Sequence, residues 1–188
     1  MTKLSQHEQF SHTTRSYDLS RPIDENLKAK INRIIDTNKD NFQYTFVIED
    51  KDLIEKFYQI SDVPNEYEIG VPYFERKNSQ LIAPLLLLLV PHCNDQHSTY
   101  MAGKTYSHIG LTAIDAGYHT SFCICFDRQK AKEIFADKIA EQHWLPLGAI
   151  FMGVGYIAPG TTPQTDLRQN LIVNSYIKDN IDYIKVIG

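Results

Sequence analysis

The sequence of 188 residues has few cysteines and no surplus of basic charge. Its three cysteines, Cys93, Cys123 and Cys125, are too few for a disulfide framework and leave at least one thiol unpaired, which favours a reducing compartment. Nineteen basic against 23 acidic residues give a formal charge of −4, whereas a protein that tracks nucleic-acid phosphates usually carries a basic surplus. We therefore expect a cytoplasmic protein with no nucleic-acid partner.

Long apolar runs are also missing. The most apolar segment, residues 81–90, is interrupted by Pro84, and it is far shorter than the roughly 20 residues that a membrane-spanning helix needs. Residues 1–10 are polar and do not resemble a secretory signal, so we expect no membrane partner. No internal repeat, low-complexity tract or Gly/Ser linker divides the chain. Its length suits one domain that spans residues 1–188.

Apolar residues recur at helical spacing in four segments. The first segment follows Asp24 and the fourth follows Asp127, a residue type that caps helix N-termini. The third, residues 100–116, is followed by Gly117, which suits a left-handed cap. The predicted buried faces are, in order, Leu27, Ile31, Ile34 and Ile35; Leu53, Ile54, Phe57 and Tyr58; Tyr106, Ile109, Ala113 and Ala116; and Ala131, Ile134, Phe135 and Ile139.

Four apolar segments predict strands, at residues 44–48, 81–90, 119–126 and 147–156. Residues 61–80 and 94–99 are predicted to be mainly loops because they are polar. Strands that are apolar on both faces require helices on both sides of the sheet. The pattern favours an α/β or α+β sandwich with a covered sheet.

Two groups of polar or sulfur-containing side chains invite a chemical interpretation. His92, Cys93 and His97 offer ligand types that zinc accepts, but a polar loop is the simpler interpretation. Cys123 and Cys125 fall on one face of a predicted strand, where they are either a redox or metal-binding pair or, as we prefer, small buried hydrophobic residues. We predict no metal ligand.

The glycines near the end of the last predicted strand do not form a dinucleotide-binding fingerprint. Gly148, Gly153 and Gly155 have the wrong spacing and no helix is predicted after them. Close packing of the backbone explains them better. No GxSxG, Walker A or HExxH pattern is present, and the sequence identifies no catalytic acid or base.

Several short motifs, taken in their order along the chain, resemble the nitroreductase family. In residues 11–18, His12, Thr13, Arg15 and Tyr17 match positions of the family's R-[RH]-S-x-[RK]-x-[FY] motif, and a helix follows. Later segments agree in order. Residues 41–48 resemble the family's N-x-Q-P-W segment and the strand after it, and residues 83–90 resemble its A-P pair and aliphatic strand. Residues 109–127 resemble the family's central helix and the strand that ends in F-D. Residues 155–156 resemble its G-Y pair.

The resemblance implies a fold, a cofactor and partners. The fold is a three-layer sandwich with a central mixed, mostly antiparallel sheet flanked by helices. The protein would be a homodimer in which the C-terminal tail, from residue 159 onward, wraps the partner subunit. Bound FMN would take hydride from a nicotinamide cofactor, NADH or NADPH, and pass electrons to a nitroaromatic, a quinone or a related small-molecule acceptor.

The same resemblance implies residues that bind FMN. Arg15 and Arg168 would neutralise the phosphate, or Arg15 would reach the pyrimidine edge of the ring. The backbone of Ile124 and Cys125 would lie near flavin N5. Each polar residue also has an ordinary alternative as a turn residue, a solvated lysine or a surface ion pair. The full predicted set is His12, Thr13, Arg15, Asn41, Lys77, Ile124, Cys125 and Arg168.

Three positions depart from the family pattern. Ser11 replaces the first arginine, residues 37–39 replace a Pro-Ser-Ser type of loop that approaches the flavin from the second subunit, and Ile124-Cys125 replaces a Glu-Gly or Gly-Gly pair. These departures keep two alternatives open: a flavin-binding protein with specialised chemistry, and an FMN-free binding module. The small residues Gly103, Gly110 and Ala113 in the predicted central helix would allow close helix approach in a dimer.

Overall fold

The described part of the chain folds into four α-helices and four strands. The computed structural model describes residues 14, 16–61, 79–124, 126–135, 138–140, 145–146 and 148–161. Two short 3-10 turns, Lys39–Asn41 and Ser79–Leu81, accompany them. In chain order the helices and strands are α1 (Glu25–Asn38), β1 (Phe42–Ile48), α2 (Lys51–Gln59), β2 (Leu85–Pro91), α3 (Gln96–Asp115), β3 (His119–Cys123), α4 (Arg128–Ile134) and β4 (Ile150–Gly155).

The strands form one sheet in the order β1-β2-β4-β3, and every neighbouring pair in this described sheet is antiparallel. β2 is central, and its Leu87 pairs with Val47 on one side and with Met152 on the other. All seven residues of β2 are buried. The observed sheet agrees with the expectation of a mostly antiparallel one.

Helices cover both faces of the sheet. Leu85, Leu87 and Leu89 pack with α1 and α3 in one apolar cluster. The intervening residues, Leu86 and Leu88, pack with α2 and α4 in a second cluster. Because alternate residues of a strand point to opposite faces, one continuous apolar run supplies both cores. The three-layer sandwich is therefore confirmed.

The predicted helix ends are confirmed at α1 and at the end of α3. The Asp24 side chain accepts the N–H of Asn26 at 2.7 Å, and the four apolar residues of the predicted α1 face are buried. Gly117 has a φ of +84°, in the left-handed region that glycine tolerates. The N–H of Tyr118 then donates to the Ala113 carbonyl at 2.9 Å, which ends the helix.

The start of α3 differs from the prediction. Residues 94–99 were predicted as loop, but Asp95 accepts the N–H of Ser98 at 2.8 Å and the helix starts at Gln96. A polar first turn gives no apolar periodicity, so only the cap marks it. Ala116 was predicted to be buried, but it is the exposed C-cap residue outside the helix.

Three strands are shorter than predicted, whereas β1 is longer because it begins at Phe42 rather than at residue 44. β2 begins at Leu85 rather than at residue 81, because the Ser79–Leu81 turn comes first and Pro84 has no N–H to offer a ladder. β3 ends at Cys123 rather than at residue 126, because the N–H of Phe126 donates to the Ile124 carbonyl at 3.2 Å. In the part of the chain that is described, no helix has both the length and the apolar composition needed to cross a bilayer.

Candidate functional site

Two of the predicted FMN contacts, Asn41 and Ile124, lie within the described residues. The sheet register places both at the same end of the sheet, where β1 and β4 begin and β2 and β3 end. They lie on opposite edges, because β1 and β3 are the outer strands. Three inter-strand spacings, about 14 Å in total, separate these edges, so the two residues are not in contact within one subunit.

Asn41 makes a local hydrogen bond. Its side chain is half-buried, and Nδ2 donates to the Asn38 carbonyl at 3.1 Å across the Lys39–Asn41 turn. This contact fits the alternative interpretation of Asn41 as a turn residue. It leaves the side-chain carbonyl oxygen without a hydrogen bond to another described residue, and the FMN contact stays a prediction.

Ile124 directly follows β3, which is an outer strand of the described sheet. Its side chain is 59% exposed, and Phe122, which shares its face of the strand, is 41% exposed. The Phe122 ring meets the buried ring of Tyr106 edge-on, with 6.0 Å between the ring centroids. Large apolar side chains at an accessible strand edge can hold a planar aromatic ligand or a second subunit.

The N-terminal motif is attached to β3 and to the residues that follow β4. The N–H of Thr14 donates to the Thr120 carbonyl of β3 at 3.1 Å. Tyr17 bridges to Ile157, and the N–H of Asp18 donates to the Tyr156 carbonyl at 2.8 Å. In sequence, Arg15 stands between the Thr14 and Tyr17 attachments.

β3 therefore connects two parts of the predicted FMN set. Thr120 holds the motif segment, and Ile124 follows the other end of the strand, four residues further along. Four residues of extended chain span about 13 Å. One strand edge thus lies beside both segments.

Sequence reasoning missed a buried chain of hydrogen bonds behind this edge. The Tyr17 hydroxyl donates to Ser121 Oγ at 2.7 Å and also lies 3.1 Å from the Gly153 carbonyl oxygen. Ser121 Oγ donates in turn to the Gln80 carbonyl at 2.8 Å. Burial raises the pKa of Tyr17 far above its usual value, so the phenol stays protonated and remains a donor.

Two glycines make room for the hydrogen-bonded side chains of Tyr17 and Ser121. A Cβ at Gly153 would lie 2.6 Å from Ser121 Oγ, and a Cβ at Gly155 would lie 2.7 Å from the Tyr17 ring. Real Cβ atoms do not approach other atoms that closely. The prediction that these glycines serve close packing is confirmed.

Of the residues His92, Cys93 and His97, Cys93 takes part in the cap of α3. The Cys93 thiol contacts the Asp95 carboxylate, and the Ser98 hydroxyl donates to the same oxygen at 2.7 Å. These hydrogen bonds, first from Cys93 and then from Ser98, hold the pKa of Asp95 well below its usual range. Within the described ranges, no three His, Cys, Asp or Glu side chains are grouped as metal ligands would be.

Cys123 is buried at the end of β3. This environment agrees with the preferred interpretation of a small buried hydrophobic residue. The other predicted site residues lie outside the described part of the chain, and their roles stay predictions. They are His12, Thr13, Arg15, Lys77, Cys125 and Arg168.

Known structures share this fold, although no family model and no curated protein matches the chain. A nitroreductase family protein from Clostridium novyi NT is 18% identical, with a TM-score of 0.57 over 84% of this chain and 87% of that one. An FMN-dependent nitroreductase from Clostridium difficile R20291 is 14% identical, with a TM-score of 0.57 over 85% and 91%. Oxidized iodotyrosine deiodinase, bound to FMN and 3-iodo-L-tyrosine, is 14% identical, with a TM-score of 0.63 over 86% and 92%. At these identities the likeness establishes the fold.

Proposed function

We propose that this chain, which has the fold of nitroreductase family proteins, is an FMN-dependent oxidoreductase that takes hydride from NADH or NADPH. The electrons would pass to a small-molecule acceptor such as a nitroaromatic or a quinone. The single observation that carries the proposal is the attachment of the predicted FMN motif to β3, whose far end is followed by the exposed Ile124. We also propose a cytoplasmic location.

The described residues fit a bound flavin. Thr14 belongs to the motif and is almost fully buried, and its hydroxyl has no hydrogen-bond partner among the described residues. Buried hydroxyls are normally satisfied, so this one is suited to a ligand that brings a polar group. Phe122 and Ile124 supply an exposed apolar surface at the other end of the same strand.

When bound, FMN supplies the hydride and electron transfer. The chain supplies binding and orientation. Arg15 and Arg168 would pair with the phosphate through charge-assisted hydrogen bonds, or Arg15 would pair with the pyrimidine edge of the ring. Ile124 and Phe122 would keep water from one side of the ring while the acceptor enters from the other.

A homodimer would account for the position of Asn41. Within one subunit Asn41 lies on the sheet edge opposite to Ile124. A second copy placed against β3 and α3 would bring its own α1–β1 turn towards the flavin, as the family resemblance implies. The outer face of α3 offers exposed apolar side chains for this contact, namely Tyr100 at 66% and Leu111 at 54% exposure.

The small residues of α3 support the dimer less than predicted. Gly110 faces the subunit's own sheet, where a Cβ would lie 3.5 Å from the Met152 side chain, and Ala113 is buried in the core. Only Gly103 of the three is exposed, with open space around it. The proposed interface therefore depends on the apolar outer face rather than on a stripe of small residues.

The decisive experiment is the visible absorption spectrum of the protein purified without added cofactor, and again after incubation with FMN and desalting. We expect flavin bands near one FMN per chain that bleach when NADH or NADPH is added without oxygen. Arg15→Ala should lower FMN affinity at least tenfold, because a hydrogen bond to a charged group is lost. Arg33→Ala, an exposed change on α1, is the matched control and should leave FMN affinity unchanged.

Two results would contradict the proposal. A protein that retains no FMN after incubation would support the FMN-free binding module. A protein that binds FMN but is not reduced by either nicotinamide would support a flavin protein with specialised chemistry.

A further inference from the structure

Three separate segments meet in the chain of hydrogen bonds formed by Tyr17, Ser121 and Gln80. All three residues are buried. The Tyr17 hydroxyl donates to Ser121 Oγ at 2.7 Å, and Ser121 Oγ donates to the Gln80 carbonyl at 2.8 Å. The two bonds link positions that are 104 and 41 residues apart in sequence.

Each of these segments carries a predicted FMN contact. Tyr17 follows Arg15 by two positions, and Gln80 follows Lys77 by three. Ser121 lies on β3, three positions before Ile124. A shift of any one of the three hydrogen-bonded residues would therefore displace a segment that the flavin is predicted to touch.

The residues around these hydrogen bonds permit little movement of Tyr17 and Ser121. Gly153 and Gly155 bring the backbone so close that an added Cβ would collide with Ser121 Oγ or with the Tyr17 ring. Close-packed interiors resist such displacement, and a buried, fully paired polar network specifies one arrangement. The segment around Tyr17 is also held by two backbone hydrogen bonds: the N–H of Thr14 donates to Thr120 of β3, and the N–H of Asp18 donates to Tyr156 after β4.

We infer that Tyr17 and Ser121 are positioning residues that hold the flavin-binding segments in register with one another. This inference rests on the proposed function. Neither hydroxyl is required to touch FMN, because both act through the segments they join. The hydroxyls set the affinity for FMN and the environment of the bound ring, in addition to any effect on folding.

The test compares Tyr17→Phe with Tyr106→Phe. Tyr106 is an equally buried tyrosine whose hydroxyl accepts the Leu89 N–H at 2.9 Å and contacts the Leu89 and Ile150 carbonyls. This hydroxyl bonds to none of the three segments, and the ring, which meets Phe122 of β3 edge-on, is kept in the Phe variant. Both changes remove one hydroxyl and keep the ring. Affinity for FMN is measured by quenching of flavin fluorescence, the ring environment by visible circular dichroism, and stability by thermal unfolding.

We expect Tyr17→Phe to weaken FMN binding about tenfold, as expected for one lost buried hydrogen bond, and to change the visible dichroism of the bound flavin. Tyr106→Phe should lower the melting temperature similarly but leave FMN affinity within about twofold. Ser121→Ala should reproduce the Tyr17→Phe effect, and the double variant should bind FMN no more weakly than the weaker single variant, because both remove one network.

The outcomes separate this inference from the proposed function. Equal FMN affinities for Tyr17→Phe and Tyr106→Phe, with FMN bound by the unchanged protein, would overturn the positioning role alone. If Tyr17→Phe does not fold, the FMN affinity of Ser121→Ala is compared with that of Tyr106→Phe instead. Failure of the unchanged protein to bind FMN would overturn both proposals.

Discussion

At the scale of single residues, His119 is a titratable group buried at the start of β3. Desolvation by burial lowers the pKa of its imidazole from the usual 6.5, because the charged form loses hydration. The folded protein therefore holds the neutral form down to a lower pH than the unfolded chain does. Protonation is then linked to unfolding.

His119 should make stability depend on pH. Well above pH 6.5 both states are neutral at this position, and its contribution to stability is fully present. As the pH falls below 6.5 the unfolded chain gains a proton first, so the free energy of unfolding decreases until the folded pKa is passed. Denaturant titrations from pH 8 to pH 5 should show this loss, and His119→Phe should reduce it.

His108, an exposed histidine on α3, provides the matched control for this experiment. His108→Gln leaves the buried imidazole in place and should retain the loss of stability on acidification. A His119→Phe protein with the same pH dependence as the unchanged protein would assign the effect to other groups.

At the scale of elements, the helices depend on side-chain caps. The carboxylates of Asp24, Asp50, Asp95 and Asp127 each accept a backbone N–H in the first turn of a helix. At α1 the cap also fixes the helix to the sheet region, because the Tyr118 hydroxyl accepts the N–H of Asp24 at 3.0 Å. Loss of the Asp24 carboxylate would leave this backbone bond in place and would free the N–H of Asn26 at the start of the helix that leads to Asn41.

Asp24→Ala should lower the free energy of unfolding by about 1 kcal/mol, because the N–H of Asn26 loses its acceptor. Asp24→Asn should preserve most of that stability, since asparagine also caps helices. Chemical denaturation measures both. Asp36→Ala, an exposed change near the other end of α1, is the control, and an equal loss there would refute the capping explanation.

At the scale of the whole molecule, four of the six large apolar side chains that are exposed among the described residues lie where the second subunit is proposed to bind. Tyr100, Leu111, Phe122 and Ile124 lie on α3 and at the β3 edge. A stable dimer usually buries more than about 1,000 Å², and its interface core is apolar. The outer face of α3 and the β3 edge together offer such a surface.

Leu111→Lys should shift the protein from dimer to monomer, because it places a charge in the apolar interface. Sedimentation measures the oligomeric state, and the FMN content should fall in parallel if the site lies between subunits. Leu19→Lys alters an exposed leucine in the turn before α1 and should not affect assembly. A Leu111→Lys protein that remains dimeric would place the interface elsewhere.

The features that could be predicted from the sequence are those that depend on residues close together in it. The buried β2 run, the α1 stripe and the left-handed Gly117 are confirmed, because each follows from nearby apolar spacing or from one residue's allowed conformations. The polar first turn of α3 was missed because it has no such spacing. The bonds from Tyr17 to Ser121 and from Ser121 to Gln80 join distant positions, and no local pattern reports them.

The order of synthesis has a consequence for β2, the uncharged central strand. β2 is complete at Pro91, but its partner β4 is complete only at Gly155. At about 5–20 residues per second, a ribosome needs roughly 3–13 seconds to make the intervening 64 residues. For that time the leucine-rich segment has one open edge on a nascent chain, and such a segment pairs readily with other chains. Efficient production should therefore depend on chaperones that cover this segment until β4 emerges.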